Sequence, residues 1–405
     1  MKTGERIHSL DLLRGIALIF IILFHTSVYN FANIHKIDFS NPPILIVLIS
    51  FLILWGGLII LYSGFANTLM LAGRLGGPRE FRPFGFLIIS GLIYILVHYL
   101  LVLIFGRWSV DFMNNQPNLT AIASTIRFGS LSLPETSKLF EGTSLSTIAL
   151  NLIVITLINF ALLKKGGIDK ENRNYLILLC GGSLIMVFSY FRINLFSMFQ
   201  DAITDGKAGW AIAGSFFLAN PYPLIPYLAY GLFGSAAALM FYKGQRKLIG
   251  RFMIPLGIAF LVYGVVGAMR YDKTISTPDM FWYFKTHLEL GIFLLTLSAF
   301  LMGARKHGHK KSRFPLIMWF SRISLTIYLL ETVVSELLGK AGQIIFPGWN
   351  ETINGCLIFG ALNVALWAII LYFWRKIDFR YSFEYFWVKT FSKFGKDSGK
   401  LMDLP

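Results

Sequence analysis

Arg14 and His25 lie eleven positions apart in the first apolar segment of the chain. In a helix with ~100° between residues, eleven steps return a side chain to within about 20° of its first direction, some 16 Å further along the axis. Ionisable side chains in a bilayer interior are costly and by default indicate a functional site or path. An imidazole, with an unperturbed pKa of about 6.5, takes up and returns protons at ordinary pH. The pair therefore predicts proton-transfer chemistry within a membrane.

Asp11 precedes Arg14 by three residues, a spacing at which the two side chains can pair on a helix. These residues also have a purely structural interpretation. Asp11 would complement the helix dipole, Arg14 would anchor the helix at the membrane surface, and Gly15 would allow a close helix contact. For His25, the alternative is a hydrogen-bonded packing residue.

The composition predicts an all-α, polytopic membrane bundle. Of 405 residues, 55% are hydrophobic and only 14% are charged, whereas soluble domains carry about a quarter charged residues. The first apolar run is long and lacks a small-residue cleavage site, so we expect it to remain as a helix. The two cysteines suggest neither a disulfide framework nor a metal site. Runs near the ~20 residues that cross a bilayer predict ten spans, namely 10–31, 44–71, 83–105, 145–163, 175–196, 222–242, 252–269, 286–303, 314–338 and 355–374.

The net charge of +16 is explained by topology rather than by nucleic-acid binding. Twenty-five of the 37 lysines and arginines fall in the terminal segments and alternate connections on one side, and ten fall on the other. This asymmetry is the positive-inside signal, so we expect both termini in the cytoplasm and the protein in the cell membrane, with anionic lipids as partners. We expect one membrane domain over 1–374. Residues 375–405 would be a basic, amphipathic cytoplasmic tail, in which the aromatic and basic segment 378–393 forms an amphipathic helix at the membrane surface.

Four short motifs resemble a known superfamily. Ser9-Leu-Asp-Leu-Leu-Arg-Gly-Ile-Ala-Leu, with the histidine at position 25, resembles the first helix of the transmembrane acyltransferases, which include acyltransferase-3 enzymes, heparan-α-glucosaminide N-acetyltransferase and YeiB-like proteins. Tyr222-Pro-Leu-Ile-Pro-Tyr is similar to a helix entry of the last two branches. Ser321-Arg-Ile-Ser-Leu-Thr-Ile-Tyr is similar to a late helix of theirs, with serine in place of glycine. Phe383-Glu384-Tyr385 resembles a YeiB-like element near the end of the chain.

The resemblance implies an acyltransferase that moves an acetyl group from cytoplasmic acetyl-CoA to a hydroxyl or amine of an extracytoplasmic sugar or glycoconjugate. His25 would be the general base or a transient acyl carrier. Arg14 would bind a CoA phosphate or the thioester oxygen, with Asp11 orienting it. His35 takes roughly the place of the catalytic histidine in the heparan branch, and an exposed loop residue is the alternative.

Other polar residues within the spans are candidates for binding the two substrates. The candidates for the CoA side are Ser63 and Asn67, four residues apart on one helix face, and Arg322; those for the acceptor are His287, Glu289 and Glu331. Arg322 lies near the start of the ninth span, and Glu331, nine residues later, is expected about 180° around the same helix. For each of these residues, packing or a helix–helix hydrogen bond is the alternative.

A function of another class uses the same residues. A transporter or flippase for a small solute or a lipid-linked intermediate would employ the histidine and arginine as a proton relay. The sequence shows no inverted repeat, which weighs against this alternative. It also shows no P-loop lysine and no zinc-spaced histidine set, so we expect no metal cofactor. The sequence is also compatible with a homo-oligomer.

Overall fold

The computed structural model describes residues 8–28, 30–33, 36, 44, 55–75, 81–106, 109–111, 116–118, 120–131, 133–219, 221–271, 278–303 and 314–393. The main described helices are α1 His8–Val28, α2 Trp55–Ala72, α3 Phe81–Leu100, α4 Ala121–Phe128, α5 Ser144–Leu163, α6 Glu171–Phe188, α7 Arg192–Thr204, α8 Ala208–Leu218, α9 Leu224–Tyr242, α10 Ile254–Ala268, α11 Met280–Gly303, α12 Pro315–Arg322, α13 Ser324–Ile345, α14 Ile353–Trp374 and α15 Phe383–Lys393. Short helical turns cover Leu101–Phe105, Thr136–Phe140, Gly167–Asp169, Ser189–Phe191, Arg246–Leu248, Ile249–Met253, Trp349–Glu351 and Arg375–Ile377. Strands β1 Ser109–Asp111 and β2 Gln116–Asn118 form an antiparallel pair.

The helices confirm a multi-pass, all-α membrane protein. Among the described residues, nine helical stretches are long and apolar enough to cross a bilayer, and a tenth if one bent pair counts as a span. Each of the ten predicted spans overlaps one of them. Residues 45–54 of the second predicted span lie outside the described residues, and the described part of that span is α2 from Trp55 onward.

The ninth predicted span is not one helix, and this corrects its interpretation. It consists of α12 and α13, which meet at 89°. Ile323, between them, has φ −122° and ψ 44°, outside the helical region. Arg322 therefore ends one helix while Glu331 lies in the next, and the predicted 180° separation around a common axis is wrong.

The described helices belong to two compact units. The first unit covers Met1–Trp55, Leu100–Glu135 and Ala304–Pro405. In it α1 packs against α12, α13 and α14. Gly15 lies against α12 so closely that an added Cβ would overlap the carbonyl oxygen of Ile317, as expected for a close helix contact. The apolar centre of this unit is formed by Leu18, Ile22, Phe320, Ile323, Ile327, Trp367, Leu371 and Phe379.

The second unit covers Gly56–Tyr99 and Thr136–Gly303. Helix α9 packs against α5 and α6 and is buried along nearly its whole length, while α10 packs along α11. A buried polar cluster ties three helices together: the Asn159 amide donates to Thr68 Oγ1 at 2.7 Å and to Ser235 Oγ at 3.2 Å. Such hydrogen bonds supply helix–helix affinity where the hydrophobic effect is absent.

The segment after α14 packs into the first unit. Asp378, Phe379 and Tyr381 have positive φ values of 52°, 53° and 68°, so the chain makes a tight left-handed turn there. Phe379 is buried in the apolar centre of the unit. Helix α15 follows, so the helix predicted over 378–393 is present but begins only at Phe383, after this turn. The division into one membrane domain over 1–374 and a tail over 375–405 stays a prediction.

Candidate functional site

The imidazole of His25 is paired with a carboxylate from a distant helix. His25 lies in the last turn of α1, and its Nδ1 makes a short hydrogen bond with Oε1 of Glu331 on α13. The His25 side chain keeps 15% of its surface accessible, whereas that of Glu331 keeps 3%. A carboxylate at this position, when ionised, accepts a hydrogen bond, and that would place the proton on Nδ1 and leave the lone pair on Nε2. This is the arrangement of an oriented general base.

The pair lies at the end of an apolar seam between the two helices. Leu18, Ile22 and His25 follow one another at helical spacing on α1, and Ile327 precedes Glu331 by four residues on α13. Leu18, Ile22 and Ile327 belong to the same buried cluster. Packing of these apolar residues therefore sets the register at which the imidazole meets the carboxylate.

Arg14 is held at two sides. Its Nε donates to Ser321 Oγ at 2.8 Å, and its Nη2 lies 3.4 Å from Asp11 Oδ1. The predicted contact between Asp11 and Arg14 is confirmed. A guanidinium has five N–H groups in a planar fork, and a quarter of the Arg14 side chain is accessible. The arrangement orients a cation that is able to bind an anionic or carbonyl oxygen.

Ser321 is a residue that sequence reasoning did not assign to the site. It stands where the resembling motif has glycine, and its buried hydroxyl accepts from Arg14. Ser321 and Arg14 are 307 residues apart, so their contact cannot be inferred from spacing. The replacement of the motif's glycine by serine is the only feature of the sequence that indicates Ser321.

A second polar layer lies beyond His25, where Asn30 follows the end of α1 and Ser335 and Glu336 lie on α13. Asn30 contacts Ser335 at 3.5 Å, and Arg127 of α4 donates to Asn30 Oδ1 at 3.2 Å. Arg127 Nε also pairs with Glu336 at 3.2 Å. The connection 106–144, whose role the sequence did not indicate, thus contributes a helix that is ion-paired to α13.

Arg322, predicted to bind the donor, stacks over the ring of Phe379 at 5.0 Å from its centroid. The described contact is a cation–π interaction with the tail. Its role in binding CoA stays a prediction. His35, the other candidate base, lies outside the described residues.

The remaining predicted site residues belong to the second unit. Asn67 Nδ2 donates to the Ser63 carbonyl at 2.8 Å and to its hydroxyl at 3.0 Å, which confirms that they share a helix face. Glu289 is buried and accepts from Tyr227 Oη at 3.1 Å. His287 Nδ1 lies 2.8 Å from the carbonyl of Tyr283, one turn earlier on the same helix.

Glu289 also contacts Lys285 at 3.1 Å, so it is part of an ion pair as well as a hydrogen bond. His287 and Glu289, two residues apart on α11, therefore have different partners rather than each other. Their proposed contact with the acceptor stays a prediction, as does the contact of Ser63 and Asn67 with the donor.

No protein-family model, no curated protein and no solved structure matches this chain. The described helices establish the class of this protein, which is a multi-pass, all-α membrane protein.

Proposed function

We propose that this protein is an integral-membrane acyltransferase that moves an acetyl group from cytoplasmic acetyl-CoA to a hydroxyl or amine of an extracytoplasmic sugar or glycoconjugate. The observation that carries the proposal is the hydrogen bond between His25 and Glu331 in the first unit. Acyl transfer to a hydroxyl requires a base for the hydroxyl proton, and an imidazole held by a carboxylate is the commonest side-chain solution.

In this proposal Nε2 of His25 accepts the proton of the acceptor hydroxyl. The freed electron pair of the acceptor oxygen forms a bond to the acetyl carbonyl carbon. The bond from that carbon to the CoA sulfur then breaks, and the imidazolium returns its proton to the sulfur. Glu331 stays ionised and stabilises the imidazolium while it exists.

Arg14 supports the donor half of the proposal. Asp11 and Ser321 contact two of its nitrogens and so orient the guanidinium, a group that binds phosphate oxygens well. Because Arg14 lies about 16 Å from His25 along the helix axis, the proposal assigns it a CoA phosphate rather than the carbonyl oxygen at which the acceptor attacks. Arg14 lies eleven residues before His25 on one helix face, on the side that the positive-inside asymmetry assigns to the cytoplasm.

The same hydrogen bond also favours the alternative function. A buried glutamate that shares a proton with a histidine suits a proton-coupled transporter or flippase. The two functions differ in their need for the acyl donor, because a transporter moves its solute across vesicles without acetyl-CoA.

The test uses purified protein in proteoliposomes with acetyl-CoA labelled in the acetyl group. Candidate acceptors are a panel of sugars and lipid-linked sugars on the opposite side. We expect label in the acceptor with the native protein and none above background with His25→Ala. His98→Gln is the matched control, because His98 is another buried membrane histidine, bonded to Thr143 at 2.9 Å.

Undiminished transfer by folded His25→Ala would remove this residue from the mechanism. Solute movement by the native protein without acetyl-CoA, together with no labelled acceptor, would replace the enzyme by the transporter.

A further inference from the structure

The break between α12 and α13 leaves backbone N–H groups at the start of α13 that need hydrogen-bond acceptors, and a distant part of the chain supplies them. The first N–H groups of a helix have no partners within that helix. In the interior of a single membrane helix the preceding turn satisfies them, but Ile323 interrupts the helix. Buried backbone N–H groups without a partner are costly, and Ile323 and Thr326 are buried, so the start of α13 requires an acceptor.

Glu384 of α15 provides that acceptor. Its Oε1 accepts from the backbone N–H of Leu325 at 2.7 Å and from that of Thr326 at 3.3 Å. Its Oε2 accepts from the hydroxyl of Thr326. The Phe383 N–H donates in return to Thr326 Oγ1 at 2.8 Å. The two helix starts are therefore joined by reciprocal hydrogen bonds.

The path of the chain before Glu384 is fixed as well. Phe379 is buried beneath the guanidinium of Arg322, the last residue of α12. The buried Ser382 hydroxyl accepts from the N–H of Tyr385 at 3.0 Å, which caps α15 in the usual way for serine. The tail thus contacts both sides of the break, α12 through Phe379 and α13 through Glu384.

We propose that Glu384 is a positioning residue for the His25–Glu331 pair: by capping α13, it fixes the turn from which Glu331 is presented to the imidazole. Thr326 and Glu331 are five residues apart, about 7.5 Å along the helix. A loosened first turn shifts the carboxylate relative to His25 on the neighbouring helix. The inference rests on the proposed function, since it assigns Glu384 a role in that reaction, although its geometric part is measurable without turnover.

The hydrogen bonds that Glu384 makes at the start of α13 determine which substitutions keep the cap and which remove it. Burial raises the pKa of Glu384 although its hydrogen bonds favour the ionised form. A neutral side chain with one well-placed oxygen therefore suffices at this position. Glu384→Gln keeps an oxygen for the two backbone donors, and its amide donates to Thr326 Oγ1. Glu384→Ala removes all three bonds, and Thr390→Ala on the exposed side of the same helix is the matched control.

The experiment measures three quantities on the full chain. Residue-resolved hydrogen exchange at Leu325 and Thr326 reports the cap. The ¹⁵N chemical shifts of His25 report its tautomer, and labelled acetyl transfer gives kcat and the KM for acetyl-CoA. We expect Glu384→Ala to lower the exchange protection about 5- to 30-fold, the effect of a lost cap.

We also expect Glu384→Ala to convert a single Nδ1–H tautomer of His25 into a mixture. The kcat should fall about tenfold or more with KM unchanged, because a small misplacement of the base affects the chemical step. Glu384→Gln should restore all three readouts, and Thr390→Ala should change none. If Glu384→Ala does not accumulate, Thr326→Val removes the hydroxyl alone, and a smaller change of the same kind is expected.

The inference would be overturned if Glu384→Ala lost hydrogen-exchange protection at Leu325 and Thr326 but kept the native tautomer ratio of His25 and the native kcat. The proposed function would then stay intact. Failure of Glu384→Gln to restore the tautomer would also overturn the inference. If the native protein transfers no acetyl group, the proposed function fails. In that case the exchange and tautomer measurements still decide whether Glu384 positions the pair.

Discussion

Replacement of Glu331 by glutamine is the sharpest perturbation of the proposed mechanism. The substitution preserves the size of the side chain and removes its charge. A carboxylate accepts a hydrogen bond from Nδ1 of His25, whereas an amide accepts through its oxygen or donates through its nitrogen. A donated bond stabilises the tautomer whose proton is on Nε2, and that tautomer has no lone pair for the acceptor hydroxyl.

The magnitude follows from the burial of the pair. General-base catalysis contributes about 10²- to 10⁴-fold, and an Asp→Asn change in a serine-protease triad lowers kcat by about 10⁴-fold. The Glu331 side chain is only 3% accessible, so water does not replace the lost charge. We therefore expect Glu331→Gln to lower kcat by about 10²- to 10⁴-fold, or roughly 3–5 kcal/mol in the barrier. The KM for acetyl-CoA should not change, because Arg14 keeps its partners.

The assay is labelled acetyl transfer in proteoliposomes at saturating acceptor, with thermal denaturation as the test of folding. Glu336→Gln is the matched control. Glu336 lies on the same helix, is also buried and is also ion-paired, but its partner is Arg127 rather than an imidazole. The control should transfer acetyl groups at close to the native rate. A folded Glu331→Gln variant within about tenfold of the native kcat would refute the reasoning, since that lies below the smallest contribution of a general base.

Three further outcomes are expected. Gly15→Val should lower the stability of the first unit by about 1–3 kcal/mol, because the new side chain meets the Ile317 carbonyl; detergent-solubilised thermal denaturation measures this. Arg14→Ala should weaken CoA binding about tenfold to a hundredfold, the worth of a hydrogen bond to a charged group, as measured by calorimetry. Because burial raises the pKa of Glu384, the folded protein binds its proton more tightly than the unfolded chain. Docking of the tail should therefore strengthen as the pH falls toward about 4, the ordinary pKa of a glutamate, and hydrogen exchange at Leu325, corrected for its intrinsic rate, measures the change.

Each of these outcomes has a contrary result. Native stability in Gly15→Val would mean that α1 and α12 separate at no cost. Native CoA affinity in Arg14→Ala would move the donor site elsewhere. Glu384→Gln should remove the pH dependence of hydrogen exchange at Leu325 that Glu384 causes. An unchanged pH profile in that variant would assign the pH dependence to another group.

The features predicted from sequence are those encoded within one helix. The common face of Arg14 and His25, the contact of Asp11 with Arg14 and that of Asn67 with Ser63 all follow from helical spacing. Hydropathy locates the spans for the same reason, because a bilayer imposes length and composition on each segment separately.

The features missed are those that join distant segments. No proline or glycine marks the break at Ile323, where Glu384 satisfies the exposed backbone about sixty residues later in the chain. The sequence indicates Glu331 only as a polar residue within a span and a candidate for the acceptor, and its contact with His25 spans 306 residues. One sequence carries no signal for such pairs, since any buried carboxylate in the spans was an equal candidate.

Helix α1 packs against α12, α13 and α14, which are synthesised about 300 residues later, and this has a consequence for biosynthesis. At a translation rate of 5–20 residues per second, the 306 residues between His25 and Glu331 take about 15–60 s to synthesise. During that interval the first helix resides in the bilayer without the surface on which it finally packs. The polar face that carries Arg14 and His25 must then be shielded by the translocon, by a membrane chaperone or by early helices of the same chain. Ribosome-bound nascent chains that end before residue 315 should therefore crosslink to such factors through α1, and complete chains should not.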